Sequence, residues 1–326
     1  MQVPFPELTH LVLWSVDETV SVLPDSLFGG SAPRLEDLWL DGIPFLGLPK
    51  LLLSATHLHA LRLERIPDSG YILPEAIVTA LSPLTRLRIL RLEFQSPRSF
   101  PDRASRHLPP QTRTVLPALT ELSLKGVSEY LEVVMALIDA PQLYSLRITF
   151  FNDIVFDAPQ LAKFISRPPT LKDLTTARVT FEHDVASIGL SSQTSGYGSL
   201  SVSIPCRELD WQVSSMEQVC TSCLPPLSML DDLYIKILHP NPNWQDNIEN
   251  AQWLELLHSF TAVKNLYLSE KIARRIVPAL EELVGAERQK CCPLCRTFSS
   301  RRLNHRDLSR RVFNSSLPRD RSSVTP

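Results

Sequence analysis

Glycine is scarce in this chain, with 10 residues in 326 against 27 prolines. Few positions can therefore form the backbone loops that wrap phosphates, and no Gly-x-Gly-x-x-Gly, Walker or Gly-x-Ser-x-Gly motif occurs. Prolines at this frequency interrupt long helices. Cysteine is sparse too: six residues do not make a disulfide framework, and a reducing intracellular compartment, cytoplasmic or nuclear, is the expectation. No window reaches the roughly 18 apolar residues of a membrane span. The nearest, Leu131 to Leu143, carries Glu132 and Asp139, so no membrane partner is expected. Met1 to Pro6 has neither a basic nor an apolar leader region, and no signal peptide is expected. Charge of one sign is missing as well. Lys and Arg number 33 against 35 Asp and Glu, a net −2 that argues against general polyanion or nucleic-acid binding. His-Glu-x-x-His is absent, and His10 falls in a variable repeat slot that suits a surface histidine better than a general base.

What the chain does have is a repeat: proline, one or two residues, then Leu-x-x-Leu-x-Leu. It begins at Leu8-Thr9-His10-Leu11-Val12-Leu13 and returns at Leu35-Glu36-Asp37-Leu38-Trp39-Leu40. Further copies open at Leu58, Leu87, Leu119 and Leu143, and weaker ones at Leu230 and Val263. The first six openings are separated by 27, 23, 29, 32 and 24 residues. Leucine-rich repeats run about 20–29 residues, so these are slightly long and irregular. Leucines two apart, such as Leu38 and Leu40, share one face of a strand. One unit cannot bury them alone, but stacked units make a parallel sheet whose leucine rows form a continuous core. The predicted class is therefore α/β: an irregular leucine-rich-repeat solenoid over residues 1–288, with a curved parallel sheet on one face and helices on the other.

Parallel strands need crossovers. Ser128 is expected to cap a helix carrying Leu131, Val134, Met135 and Ile138 inward. Asp157 and Pro159 open another with Leu161, Phe164 and Ile165, and Pro74 to Leu81 forms a shorter one. Over 174–209 the repeat decays. Residues 177–181 and 200–204 still alternate and read as strands of degenerate repeats, with a Ser/Gly loop at 191–199 between them. Residues 96–114 form a proline-rich loop with Arg98, Arg103, Arg106 and Arg113, read as a solvated insertion, with a basic recognition loop as the alternative.

In each strand, residues between and after the core leucines point to the open face. Trp14, Trp39, Arg62, Glu64, Arg91, Glu93, Arg147, Tyr234 and Tyr267 are the candidate protein-binding residues, since Trp, Tyr and Arg dominate interface energetics. The expected activity is non-enzymatic binding of another protein, with no cofactor, metal or catalytic residue. A segment of the same protein packed over the tryptophans is the alternative. Leu8, Leu11 and Leu13 belong to the first unit, and self-association through that uncapped edge is expected.

The phrases Phe28-Gly29-Gly30-Ser31-Ala32-Pro33-Arg34-Leu35, Leu51-Leu52-Leu53-Ser54-Ala55-Thr56-His57-Leu58, Gly126-Val127-Ser128-Glu129-Tyr130-Leu131 and Trp253-Leu254-Glu255-Leu256-Leu257-His258 resemble the F-box-like leucine-rich-repeat proteins of mushroom-forming fungi. The resemblance covers roughly residues 3 to 287. It implies repeats that present a target to a cullin-type ubiquitin ligase, recruited through an N-terminal F-box. Residue 1 already sits at the edge of the first repeat, so the expectation is that no F-box helices precede it. No adaptor-binding residue carries over, and a truncated paralogue without dedicated function is an alternative.

Cys220-x-x-Cys223 and Cys292-x-x-Cys295 have the unit spacing of four-cysteine zinc sites, so a zinc or redox protein is a further alternative. Against it, the first pair follows Trp211 to Val219, which reads as a helix, and fits one apolar helical stripe. The last segment differs in charge. Residues 1–287 hold 23 basic and 33 acidic side chains, whereas 288–326 hold 10 and 2. A disordered basic tail over 289–326 is expected. Read in a shifted frame, its first codons permit Glu-Val-Leu-Pro-Ala-Leu-Gln-Asp-Phe-Leu-Val, in phase with Leu116 to Leu124. Residues from about 289 onward are thus expected to be frame-shifted, which RNA sequencing across codons 284 to 300 would decide.

Overall fold

The computed structural model describes residues 5, 7–15, 22–97, 113–151, 158–192, 198–225, 227–240, 244 and 248–287. The basic stretch 98–112, Asp157, most of the Ser/Gly loop, and the segment beyond 287 with Cys292 and Cys295 lie outside the described residues.

Alternation of apolar residues builds the strands. They are β1 (His10–Trp14), β2 (Asp37–Asp41), β3 (Ala60–Ile66), β4 (Ile89–Phe94), β5 (Thr114–Val115), β6 (Glu121–Gly126), β7 (Ile138–Asp139) and β8 (Ser145–Phe150), then β9 (Thr176–Phe181), β10 (Val185–Ser191), β11 (Ser199–Pro205), β12 (Asp232–Ile237) and β13 (Asn265–Leu268). Among the described residues the helices are α1 (Leu48–Ser54), α2 (Pro74–Leu81), α3 (Ser128–Leu137), α4 (Pro159–Ile165), α5 (Leu209–Ser222), α6 (Asn250–His258) and, after β13, α7 (Glu270–Glu287). The protein is a mixed α/β fold with one large, mostly parallel sheet, ordered β1-β2-β3-β4-β6-β8-β11-β10-β9-β12-β13. β5 and β7 pair separately.

Register aligns the leucines. Leu11, Leu38, Leu61, Leu90, Leu122 and Leu146 are Cα partners on successive strands. The row continues through Leu200, Leu190, Ala177, Leu233 and Leu266. A second row runs two residues later from Leu13 to Leu268. Away from the two edge strands these side chains are buried, together with the leucines that open each unit, Leu35, Leu58, Leu87, Leu119 and Leu143. At about 1.5–3 kcal/mol per buried leucine, these rows dominate the stability of the sheet. The helices cover the leucine face, where α1 to α4 pack side by side in one run and α5 to α7 in another.

The helix boundaries depart from expectation in two places. α3 stops at Leu137, and Ile138 starts β7 with extended φ −104 and ψ 143, though it stays fully buried. Ser128 does not cap α3: the N-cap is Val127, and the serine hydroxyl donates to the Glu129 carboxylate at 3.1 Å. α4 buries Leu161, Phe164 and Ile165, but its first turn is capped from outside. The Glu132 carboxylate on α3 accepts from the backbone N–H groups of Gln160 and Leu161, each at 2.8 Å. Replacing Glu132 with alanine orphans two donors at a helix N-terminus. The expected loss is about 1–2 kcal/mol, seen as a lower denaturant midpoint at unchanged slope.

The stretch 174–209 holds the main topological surprise. β9 and β11 occur where alternation predicts them, but β10 lies between them and runs antiparallel to both. The chain leaves β8, passes over two strand positions to place β9, turns back through β10, and inserts β11 beside β8. Sequence order 8-9-10-11-12 becomes spatial order 8-11-10-9-12, so these are not simply further copies of one unit. Gly198 makes the entry into β11 feasible, since a Cβ there would collide with the carbonyl of Thr170. α5 packs on all three strands of the meander. Its fully buried Gln212 donates from Nε2 to the carbonyls of Glu182 at 2.8 Å and Cys206 at 2.5 Å, tying the β9–β10 turn to the end of β11.

Candidate functional site

Residues alternating with the leucines form the opposite face of the sheet, where side chains are mostly half-buried or exposed. Trp14 and Trp39 stand at its β1–β2 end, 64% and 36% exposed. Val12, also exposed, is the register partner of Trp39, and Trp14 faces Asp41. The repeat spacing puts these three side chains on one face of neighbouring strands, and the register adds that Val12 lies directly beside Trp39.

The charged candidates on β3 and β4 are all committed to partners within the sheet. Arg62 donates to both oxygens of Asp37, at 2.8 and 3.0 Å. Arg91 donates to Glu64 at 3.0 Å, and Glu93 accepts from the Ser123 hydroxyl at 2.8 Å. Arg65, which has a positive φ of 48 and lies at the register shift between β3 and β4, donates to Asp41 at 2.5 Å. Each arginine thus reaches an acid on the preceding strand. The result is a cross-strand ladder that stiffens the face, at about 0.2–1 kcal/mol per pair.

From β6 onward the chemistry changes. Arg147 is exposed, and no hydrogen bond or ion pair to it occurs among the described residues. Its register partner on β11 is Ser201, followed by Gly189 on β10 and Arg178 on β9. Beyond Arg178 lie Tyr234 and Tyr267, whose rings stack at 4.4 Å with only 9° between planes. The Arg178 guanidinium sits over Tyr234 at 5.6 Å. Lys236, two residues on, is half-buried, and its ammonium is pushed below the ordinary lysine range by burial first and by Arg178 second; Glu182 opposes this. The spacing after the core leucines already puts Lys236 on this face; Arg178 was not among the expected residues, although it alternates with Ala177 and Val179 as Arg62 does with its leucines.

The cysteine alternative has a different setting. Cys220 on α5 and Cys223 just after it are buried in the core, and burial pushes the Cys220 thiol far up, against the thiolate that metal binding and redox exchange require. Among the described residues, no group of three or more His, Cys, Asp or Glu side chains could hold a metal ion, and no helix is long and apolar enough to cross a membrane. No family model, curated protein or solved structure matches the chain.

Proposed function

We propose that the chain is an irregular leucine-rich-repeat scaffold that binds another protein, without catalysis, on the helix-free face of its sheet. The observation carrying this reading is the pair of tryptophans, Trp14 and Trp39, standing exposed on adjacent strands beside Val12. Exposed tryptophan joined to other apolar surface marks an interaction site more often than scattered apolar residues do. In-register leucine rows and side-by-side helices support the repeat reading. The likeness to fungal F-box-like repeat proteins makes a target-presenting role in an intracellular ubiquitin ligase the context proposed for it.

Photocrosslinking tests the face directly. A crosslinking residue at position 12 or 149 is expected to trap a second protein, whereas one at Lys163, exposed on α4, traps none. Equal trapping from both sides, or none from the open face, overturns the reading.

The β1 edge carries a second proposal, self-association. Among the described residues β1 pairs with β2 alone, and Leu11 and Leu13 are only half-buried. An uncovered strand edge beside apolar side chains pairs readily with another copy. Light scattering at tens of micromolar should show oligomers that Val12→Lys disperses; a monodisperse monomer before substitution contradicts the proposal.

A further inference from the structure

The charges of the open face are unevenly used. On β2 to β4, three arginines and three carboxylates neutralise each other pairwise, and Glu93 accepts from the Ser123 hydroxyl. On β6 to β12, the two middle rows hold Lys125, Arg147, Arg178 and Lys236 and no acid at all. None of these four has an ion-pair partner within 4.0 Å among the described residues. Lys125 and Arg178 lie over the rings of Phe151 and Tyr234 instead. The nearby carboxylates are otherwise engaged or at the rim; Glu93, the register partner of Lys125 on β4, accepts from the Ser123 hydroxyl at 2.8 Å. Glu121 accepts from the Tyr144 hydroxyl at 3.0 Å, Asp232 accepts from Asn265 at 2.8 Å, and Glu182 sits in the β9–β10 turn.

Shape reinforces charge. Between Arg147 and Arg178 the row drops to Ser201 and Gly189, and the open side of Gly189 has no atom near where a Cβ would be. The next row there is Ser203 and Ser187. A low, hydroxyl-lined floor therefore lies between two guanidiniums that have no ion-pair partner among the described residues. Three strand intervals separate them, about 14 Å at 4.7–4.9 Å each. An extended peptide rises about 3.3 Å per residue, so side chains four apart lie on the same side and about 13 Å from each other. That span matches.

Resting on the protein-binding role proposed above, we infer that the face from β6 to β12 docks an extended acidic peptide segment, with carboxylates at i and i+4 reaching Arg147 and Arg178. Lys125 and Lys236 flank the path, and the stacked Tyr234 and Tyr267 take an apolar side chain at one end. Charge complementarity selects this occupant over nucleic acid. Residues 1–287 carry a net −10, which repels a polyanion with a charge every few ångströms, while four local cations suffice for a few carboxylates.

Selection of a phage-displayed library of random twelve-residue peptides on the full chain tests this. Enriched peptides are expected to carry Asp or Glu at i and i+4. Their binding should weaken about tenfold or more in Arg147→Glu/Arg178→Glu and in the milder Arg147→Gln/Arg178→Gln, and fall with salt. Both variants replace side chains on the open face, and thermal melting verifies folding. Enrichment without acids, no enrichment, or affinity indifferent to both variants overturns the inference. Tighter binding of a single-stranded thymidine 20-mer through the same arginines also overturns it and makes nucleic acid the occupant. Crosslinking from position 12 persists in each of these cases if the broader protein-binding role holds, so the two failures are distinguishable.

Discussion

Replacing Trp253 with alanine should lower the stability of the fold by about 3–5 kcal/mol, the largest effect expected of any single substitution considered. Trp253 is 1% exposed on α6, and its ring meets the fully buried Phe181 edge-to-face at 5.7 Å. Phe181 ends β9, the strand displaced by the meander, and it is the register partner of Ile237 on β12. The tryptophan therefore joins the topologically irregular middle of the sheet to its last strands. Truncation leaves a cavity where α6 and β9 meet, and β9, paired on both sides, cannot move in to fill it without breaking strand pairing. A fall of roughly 10 °C in melting temperature is expected for a body of this size. Trp253→Phe should recover part of it. Melting within about 2 °C of wild type would show that α6 repacks freely, contrary to this account.

The leucine rows were legible because a two-residue spacing has one structural meaning in a strand, whatever lies around it. Leu38 and Leu40 predict their own burial, and the same holds for the units opening at Leu58, Leu87, Leu119 and Leu143. β10 was hidden for the opposite reason. Ala186, Ile188 and Leu190 alternate well, but Ser187, Gly189 and Ser191 between them resemble a loop, and no Leu-x-x-Leu signature precedes them. Nothing local reveals that β9 skips two positions, because strand order depends on which edge is free when each strand arrives. The Glu132 cap escaped notice because it joins residues 28 and 29 apart on different helices.

The open face was legible by position but not by pairing. Alternation is enough to place Arg62, Glu64, Arg91 and Glu93 there. Whether such a charge is available to a partner depends on diagonal reach across strands, and Arg62 to Asp37 and Arg91 to Glu64 are diagonal contacts. Register decides the matter, and register is a property of two strands together. The charged candidates of β3 and β4 therefore brace the face, while Arg147 keeps its guanidinium free.

That division makes Trp39 the side chain on which affinity should depend most at the β1–β2 end. It stands between Val12 and Arg62 in register, so its ring is flanked on both sides and little conformational freedom is left to lose on binding. Trp14, 64% exposed on the edge strand, has no strand outside it among the described residues. Flanked, partly desolvated tryptophans near an interface centre typically contribute 2 kcal/mol or more. Trp39→Ala should thus weaken binding of the protein trapped from position 12 by about 30-fold, measured by titration calorimetry. Melting should scarcely change, since the ring lies outside the leucine rows. A matching loss of stability would mean that the ring is covered by a segment of its own chain. Unchanged affinity with unchanged stability would remove this end of the sheet from the binding face, leaving only the cationic stretch from β6 to β12.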